Sequence, residues 1–338
     1  MGVADIGIDL GTTSVLIYTK EKGIILREPS VVAVSTKTGE VIAVGEDALA
    51  MVGKTPDRIR AVRPLADGVV SDFHLCEYML KYFIRKACGG QTLKPRVAIC
   101  IPSEITQVER RSVIDAAISA GARKVFLVDE PMAAVLGLGL DISRPCGQIV
   151  LDIGGGTTDI AVFTLNGIAI ARSVRRAGNA FDQEIIRYVR SSTGLLIGER
   201  MAEEAKKALS SVVSPDPEGR ITLKGRDLRT GLPAKREISH EALASWLSEP
   251  LEEILNLLQQ TLEETPPELA CDIYQNGIWL AGGGALLGGL PEAVTQRTGL
   301  PTHRPEDPVA CVARGAGLVF DQAEALEDGV LTPSMYRY

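Results

Sequence analysis

The sequence reads Asp9-Leu10-Gly11-Thr12-Thr13 near its beginning and Asp152-Ile153-Gly154-Gly155-Gly156-Thr157-Thr158 near its middle. In both places an apolar, strand-like run leads into the aspartate, and a second such run follows the threonines. One turn of this kind is ordinary turn chemistry. Two copies, separated by a little under half of the 338 residues, predict a duplicated domain with a cleft between its halves.

Runs rich in valine and isoleucine alternate along the chain with stretches of helical periodicity. The predicted strands include residues 6–8, 16–18, 31–34, 97–101, 125–128, 149–152, 160–163 and 278–280. Helices are predicted over residues 104–120 and 250–265, and in the second of these Leu251, Ile254 and Leu258 share one helical face. Strands that alternate with helices indicate an α/β architecture.

Composition limits the classes of function. The 36 basic and 43 acidic residues give a formal net charge of −7, which argues against nucleic acid as a general partner because no net basic field attracts phosphate. The six cysteines are scattered without a Cys-x-x-Cys pair, as expected of reduced thiols in the cytoplasm. The sequence shows no signal peptide and no apolar run near the ~18 residues that span a bilayer. A cytoplasmic location is therefore predicted.

The two turns have the composition of a phosphate-binding site. Glycine lets the backbone approach an anion closely, so that successive N–H groups can point at phosphate oxygens, and threonine hydroxyls add donors. A carboxylate beside a polyphosphate requires a cation between them, and Mg²⁺ suits Asp9 and Asp152 because it prefers oxygen ligands and retains waters. The loop residues assigned to a nucleotide are Gly11, Thr12, Thr13, Gly154, Gly155, Gly156 and Thr157.

A third cluster of small residues follows the strand predicted at 278–280. Its members are Gly282, Gly283, Gly284 and Ala285. Such a turn can simply connect a strand tightly to a helix. In the functional interpretation, its bare backbone packs against the nucleoside and the α-phosphate.

Together, the two Asp-x-Gly turns and the late Gly-Gly-Gly-Ala resemble the superfamily of actins, sugar kinases and heat-shock chaperones. Within that superfamily, further segments resemble the MreB family of bacterial actins over roughly residues 5–322. These segments are residues 23–33, 63–73, 102–111, 129–134, 196–200 and 225–233. The last of them, Gly-Arg-Asp-Leu-Arg-Thr-Gly-Leu-Pro, is specific to MreB-like proteins.

The resemblance implies an actin-like α/β fold of two duplicated halves, each with a smaller inserted subdomain, and a nucleotide in the central cleft. On this basis the first half covers residues 1–148 with an insert near 33–66. The second half covers residues 149–322 with an insert near 184–247, and residues 323–338 form a C-terminal tail.

The resemblance also implies a function. ATP and Mg²⁺ are the expected cofactors, with a slow, polymerisation-linked hydrolysis of ATP rather than a metabolic activity. Members of the MreB family form filaments, paired antiparallel, that bind the membrane and organise cell-wall synthesis for rod shape. The expected partners are therefore other copies of this chain, the anionic inner surface of the membrane and membrane proteins of cell-wall elongation, with no nucleic acid.

The resemblance assigns roles to single residues. Asp9 and Asp152 match the family's Mg²⁺-positioning aspartates. Glu130 stands where the family has the glutamate that orients the attacking water, and Thr157 stands where a hydroxyl assists that water. Further nucleotide-binding positions are Gly178, in a turn that closes over the phosphates, and Glu203, Glu204 and Lys206, which match positions that hold the adenosine.

Plainer interpretations stay open for several of these residues. Glu130 precedes a proline at a predicted helix start and can act as a capping carboxylate. The charges at residues 203–206 can form a solvated helix face. Ser14 and Val15 stand where the family usually has Asn and Thr in the first loop. For the whole protein, the alternative is a small-molecule kinase or a segregation or pilus-type actin of the same superfamily.

In the MreB family, a loop just before the strand that here begins near residue 97 commonly carries apolar residues that enter the membrane. In this chain residues 85–96 contain four cations, no acidic residue and only Leu93 as a large apolar side chain. Each cation near an anionic leaflet contributes roughly 1 kcal/mol. The sequence therefore predicts electrostatic, salt-sensitive membrane binding, with an ordinary solvated loop as the alternative.

Overall fold

The computed structural model describes residues 5–66, 68–88, 94–102, 106–322 and 330–331. The prediction that concerns Leu93 therefore lies outside the described residues. The same holds for the first residues of the helix predicted at 104–120. Of the predicted tail at 323–338, only residues 330–331 are described.

The elements of the first part of the chain follow the predicted alternation of strands and helices. In order, they are β1 (Asp5–Leu10), β2 (Ser14–Thr19), β3 (Gly23–Pro29), β4 (Val32–Ser35), β5 (Val41–Val44), α1 (Glu46–Leu49), β6 (Ile59–Val62), β7 (Leu65–Ala66), β8 (Val69–Val70), α2 (Phe73–Cys88), β9 (Arg96–Ile101), α3 (Gln107–Ser119), β10 (Lys124–Asp129) and α4 (Glu130–Leu138).

The second part begins with another β-hairpin. Its elements are β11 (Gln148–Ile153), β12 (Thr158–Thr164), β13 (Gly167–Val174), α5 (Gly178–Thr193), β14 (Leu195–Leu196), α6 (Glu199–Ala208), β15 (Arg220–Asp227), β16 (Pro233–Ser239), α7 (His240–Trp246), α8 (Ser248–Glu264), α9 (Pro267–Asn276), β17 (Ile278–Ala281), α10 (Leu290–Thr298), β18 (Thr302–His303), α11 (Cys311–Gln322) and β19 (Val330–Leu331). Short 3₁₀ turns cover Gly283–Leu286 and Pro308–Ala310.

The two large sheets have the same topology. The strand order is β3-β2-β1-β9-β10 in the first and β13-β12-β11-β17-β18 in the second, and β19 extends the first sheet beside β10. In each sheet the first three of these strands pair antiparallel and the next two join in parallel, whereas β19 pairs antiparallel with β10. The repeated turn in the sequence therefore belongs to a repeated sheet.

Smaller sheets accompany each large one. The first is β5-β4-β6 and the second is β14-β15-β16, and they lie within the residue ranges where inserts are predicted. The boundaries of the inserted subdomains themselves stay a prediction.

Three hydrophobic clusters form most of the core. One lies under each large sheet, and a third contains residues of both sheets together with α4 and α11. At the crossing of α4 and α11, a Cβ on Gly137 would lie 1.8 Å from the Cys311 carbonyl oxygen, and one on Gly315 would lie 1.7 Å from that of Ala133. Bare backbone at these positions lets the two helices touch where the halves join.

Two predicted helix boundaries differ from the structure. Helix α8 begins at Ser248 rather than Pro250, because the first turn of a helix has no acceptor for its N–H groups and so tolerates proline. Helix α3 begins at Gln107, where Thr106 and Glu109 form a reciprocal capping box. Within the described ranges, no helix has the length and apolar character needed to cross a membrane.

Candidate functional site

The two Asp-x-Gly turns have the same backbone geometry. In the first, the Gly11 N–H donates to the Ser14 carbonyl over 3.1 Å, and in the second the Gly154 N–H donates to the Thr157 carbonyl over 2.9 Å. Each turn directly follows the first strand of its hairpin, which is β1 in the first half and β11 in the second. Thr157 is therefore the structural counterpart of Ser14, a correspondence that the sequence interpretation did not state.

Side chains and backbone from the first half hold the first turn in place. The buried Ser30 hydroxyl donates to the Gly11 carbonyl over 2.6 Å, and the Ser30 N–H donates to the Thr13 carbonyl over 3.0 Å. The Gly68 N–H donates to the Thr12 hydroxyl over 3.1 Å. Ser30 and Gly68 were not among the predicted site residues. Their signal in the sequence was only their place inside the MreB-like segments 23–33 and 63–73.

The start of α5 holds the second turn. The Gly178 N–H donates to the Gly154 carbonyl over 3.1 Å, and the Asn179 N–H donates to the Gly155 carbonyl over 2.8 Å. A Cβ on Gly155 would lie 1.9 Å from the Thr13 hydroxyl oxygen, so the two turns touch across the cleft. The predicted closing turn at Gly178 thus lies against the second loop, on the same cavity.

The third glycine cluster packs against the strand that carries Asp152. Because β11 and β17 are parallel and pair Asp152 with Ala281, the turn after β17 lies beside the second loop. Gly282 has φ +77°, and a Cβ there would lie 2.3 Å from Asp152 Oδ1. Gly283 faces open space. Ala285, also predicted to contact the nucleotide, is the fully buried residue of the 3₁₀ turn and does not line the cavity.

Three carboxyl groups meet at the floor of the cleft. Asp9 ends β1, Asp152 lies on β11, and Glu130 begins α4 directly after β10. Burial raises the pKa of Asp9 to about 7. Burial, with the charges of Asp159 and Asp9, raises the pKa of Asp152 well above its ordinary value. Burial and the charges of Asp159 and Asp9 likewise raise the pKa of Glu130.

Helix α6 contributes charged side chains to the lining of the same cavity. The Lys206 ammonium donates to the Gly178 carbonyl over 2.8 Å and to Asp182 over 2.9 Å. Glu203 pairs with Lys207 over 2.6 Å, and Glu204 pairs with Arg200 over 3.0 Å. The partner Asp182 was not predicted, although it lies one helical turn after Gly178 on the same helix.

These groups enclose one cavity of about 980 Å³ between the halves. Its lining contains the predicted residues Asp9, Gly11, Thr12, Thr13, Glu130, Asp152, Gly154, Gly155, Gly156, Thr157, Gly178, Glu203, Glu204, Lys206, Gly282, Gly283 and Gly284. Residues that the sequence places far apart therefore meet on a single surface. In one part of that surface, glycine backbone and hydroxyl groups lie near the three carboxyl groups. In another part, α6 contributes Lys206 with Glu203 and Glu204.

A family model for MreB/Mbl protein matches residues 3–328 of the chain. This chain belongs to the MreB/Mbl family. It is 45% identical over 327 residues to the cell shape-determining protein Mbl of Bacillus subtilis (strain 168), a match that covers 96% of this chain and 98% of the relative. It is also 45% identical over 326 residues to the cell shape-determining protein MreB of Escherichia coli (strain K12), covering 95% and 94%.

Solved structures agree with this MreB/Mbl assignment. The crystal structure of MreB5 of Spiroplasma citri bound to ADP matches with a TM-score of 0.90 and 37% identity, over 95% of this chain and 97% of that one. The same protein bound to AMPPNP matches with a TM-score of 0.88 and 36% identity, over 96% and 98%. The MamK double helical filament, at 22% identity and a TM-score of 0.82 over 95% and 99%, shares the fold. The predicted actin-like fold is confirmed.

Proposed function

We propose that this MreB/Mbl protein binds ATP with Mg²⁺ between its two halves, polymerises into filaments and acts in determining cell shape. The observation that carries the proposal is the contact of two equivalent glycine-containing turns above a cluster of carboxyl groups. MreB5 of Spiroplasma citri, which shares the fold, holds ADP in one structure and AMPPNP in another, which supports a nucleotide in the same cleft. Family membership favours this function over a small-molecule kinase or a segregation or pilus-type actin.

The cleft residues fit a magnesium nucleotide. Burial and the charges of Asp159 and Asp9 raise the pKa of Asp152, and burial with the charges of Asp159, Asp9 and Asp152 raises that of Glu130. A cation would relieve the cost of these close charges. In the described part of the chain, no group of three or more acidic, histidine or cysteine side chains could hold a metal ion alone. Mg²⁺ is usually held by one or two carboxylates, waters and substrate phosphates, and Asp9 and Asp152 would provide the carboxylates. Bound there, it would neutralise phosphate charge.

Glu130 and Thr157 are the proposed hydrolytic residues. Glu130 is the acidic residue in the first turn of α4, and the N-cap residue Asp129 forms no side-chain capping hydrogen bond. Burial and the charges of Asp159 and Asp9 raise the pKa of Glu130, which makes its carboxylate a stronger base. Thr157 ends the second turn and offers a hydroxyl to the same cavity. Phosphoryl transfer depends mainly on positioning and charge neutralisation, so this small set suffices for slow turnover.

A combined polymerisation and phosphate-release assay tests the proposal. Wild-type protein with Mg²⁺ and ATP should pellet as filaments and release phosphate slowly, at a rate that sugars do not change. Glu130→Ala should keep ATP binding and pelleting but release phosphate at least tenfold more slowly, because the water loses its orienting partner. A sugar-stimulated burst would favour the kinase alternative, and wild-type turnover in Glu130→Ala would reduce that residue to a structural role.

Binding to the anionic inner membrane surface, beside proteins of cell-wall elongation, is part of the same proposal. Of the four cations at residues 85–96, Arg85 lies exposed near the end of α2, whereas Lys86 forms an ion pair with Glu28. Arg85 is therefore the freer of these two charges, and many protomers along a filament multiply a weak contact.

Liposome co-sedimentation tests this membrane contact. Binding should require anionic lipid and fall as salt rises, and Arg85→Ser should weaken it more than Lys86→Ser. Equal binding to neutral vesicles at high salt would reject the electrostatic mechanism.

A further inference from the structure

Two oppositely charged side chains line the cleft from opposite halves. Arg63 directly follows β6 of the first small sheet, and its carbonyl accepts a hydrogen bond from the Ser71 hydroxyl over 3.2 Å. Glu203 lies on α6, which packs against β15 of the second small sheet. Both residues line the same cavity, in which the nucleotide is proposed to bind.

The Arg63 guanidinium is incompletely satisfied. Its Nη1 atom is buried, and among the residues that the structure describes it has no hydrogen-bond partner. A buried donor without an acceptor costs free energy, and for a charged group the cost is larger. A conformation of the cleft that places a hydrogen-bond acceptor beside Arg63 Nη1 would therefore be favoured.

The charge of Arg63 acts on Glu203 of the other half. Partial burial acts to raise the pKa of Glu203, but the charges of Lys207, Lys206 and Arg63 outweigh burial and hold that pKa below its ordinary value. The carboxylate pairs with Lys207, one turn along α6, and in the described ranges it forms no ion pair with Arg63. The field of Arg63 thus reaches Glu203 across the cleft before any direct bond forms.

We propose that Arg63 and Glu203 form a cross-cleft ion pair that closes the two halves over a bound nucleotide and slows its release. This inference rests on the proposed nucleotide binding and assigns both side chains as positioning residues, because neither is asked to touch the reacting phosphate. Arginine suits the role since its planar fork can pair with a carboxylate through two parallel N–H···O bonds. A nucleotide that fills the cleft would shift the protein toward the closed state by binding it better.

Release of preloaded N-methylanthraniloyl-ATP, chased with excess ATP, measures this directly. Arg63→Ala should release the nucleotide about threefold faster than wild type, as expected for a partly exposed ion pair. Arg63→Lys should fall between the two. The matched control is Arg60→Ala, an exposed arginine on β6 that does not line the cavity, and it should release at the wild-type rate. The difference between Arg63→Ala and wild type should shrink as salt rises.

A double-mutant cycle separates the pair from any direct contact of Glu203 with the nucleoside. Glu203→Gln should speed release, and Arg63→Ala with Glu203→Gln should be no faster than the faster single variant. The exchanged pair, Arg63→Glu with Glu203→Arg, should recover slow release that neither charge reversal has alone. Additive single effects, or an exchanged pair as fast as its worse single variant, would overturn the pairing.

Two controls separate a failure of the ion pair from a failure of folding or of nucleotide binding. Thermal unfolding should show each variant folded, and Arg63→Gln replaces Arg63→Ala if the latter is not. A wild-type protein that retains no nucleotide would overturn the proposed function itself, whereas normal wild-type retention with an unchanged Arg63→Ala would overturn only the cross-cleft pair.

Discussion

The two Asp-x-Gly turns share one backbone but differ in what surrounds them. The first turn presents three hydroxyl side chains and is held by Ser30 and Gly68, while Asp9 at its base is only partly buried. The second turn presents bare glycine backbone and is held by the start of α5, while Asp152 at its base is 5% exposed. The two turns therefore repeat one backbone geometry, and the residues that flank each turn give it a different electrostatic environment.

The difference indicates a division of labour between the halves. Bare backbone at Gly154–Gly156 allows the closest approach of an anion, and the tight packing of Gly282 fixes Asp152 beside it. The first turn contributes hydroxyl donors and a carboxyl whose pKa of about 7 lies close to neutrality. If this account is right, changes at equivalent positions of the two turns should have unequal effects.

The largest effect is expected at Gly282. Gly282→Ala places a side chain at φ +77° and 2.3 Å from Asp152 Oδ1, with the Ile153 carbonyl oxygen 2.4 Å away. Backbone strain and the clash should lower the free energy of unfolding by about 3 kcal/mol and abolish nucleotide binding. Gly283→Ala is the control, because nothing lies within 4 Å of its Cβ. Chemical denaturation of both variants decides, and equal stability would show that the Asp152 side of the cleft is not tightly packed.

The next effect concerns the pH dependence of the nucleotide-free protein. Burial raises the folded-state pKa of Asp9 to about 7 from its ordinary value of 3.8, so its stabilising contribution is complete below about pH 4 and is lost as pH rises toward 7. Asp9→Asn should therefore be more stable than wild type at pH 7.5, by on the order of 2 kcal/mol, and lose this advantage near pH 4. Denaturation curves across this range measure it.

The exposed Asp57→Asn serves as the control for the pH experiment, since it changes one carboxylate without touching the cleft. A stability difference for Asp9→Asn that does not vary with pH would mean that Asp9 is not forced into an unfavourable charged state.

Hydrolysis should separate the counterparts Thr157 and Ser14. Thr157→Val removes the hydroxyl while keeping the shape of the side chain, and it should slow phosphate release about tenfold because the water loses one hydrogen-bond partner. Ser14→Ala, at the equivalent position of the first turn, should leave the rate within about twofold. A larger loss for Ser14→Ala would transfer the hydrolytic role to the first half.

The smallest expected difference lies in the turn glycines themselves. A Cβ on Gly11 would lie 2.9 Å from the Ser14 carbonyl oxygen, and one on Gly154 would lie 3.2 Å from that of Thr157. Gly11→Ala should therefore cost about 1 kcal/mol more in unfolding free energy than Gly154→Ala. Thermal unfolding of the pair measures this, and the reverse order would show that the second turn is the less tolerant one.

Much of this arrangement could be predicted from the sequence, because the repeated turn fixes the topology. Apolar runs before Asp9 and Asp152 predicted the hairpins, and parallel pairing then places Glu130 and Gly282 at the same edges. What could not be predicted depends on packing between distant segments. Ala285 is the buried residue within a 3₁₀ turn, and the Lys206 contact with Asp182 depends on how α5 and α6 lie against each other.

Predicted element ends were less accurate than predicted element types. Pro250 predicted a helix start at that residue, but the helix begins at Ser248. Proline is tolerated there because the N–H groups of the first helical turn have no acceptor within the helix. The position of Arg63 relative to Glu203 had no signal in the sequence, since it arises only when the segment after β6 and helix α6 line one cavity.

The most direct test of the account is the Mg²⁺ dependence of ATP binding in the variants of the two turn aspartates. Asp152→Ala should weaken binding of ATP in Mg²⁺ by about 100-fold while leaving binding in EDTA within about twofold, and Asp9→Ala should behave alike. Because both act through one cation, the double variant should lose little more than either single variant. Equal losses with and without Mg²⁺, or losses that add in the double variant, would contradict a cation site shared between the two turns.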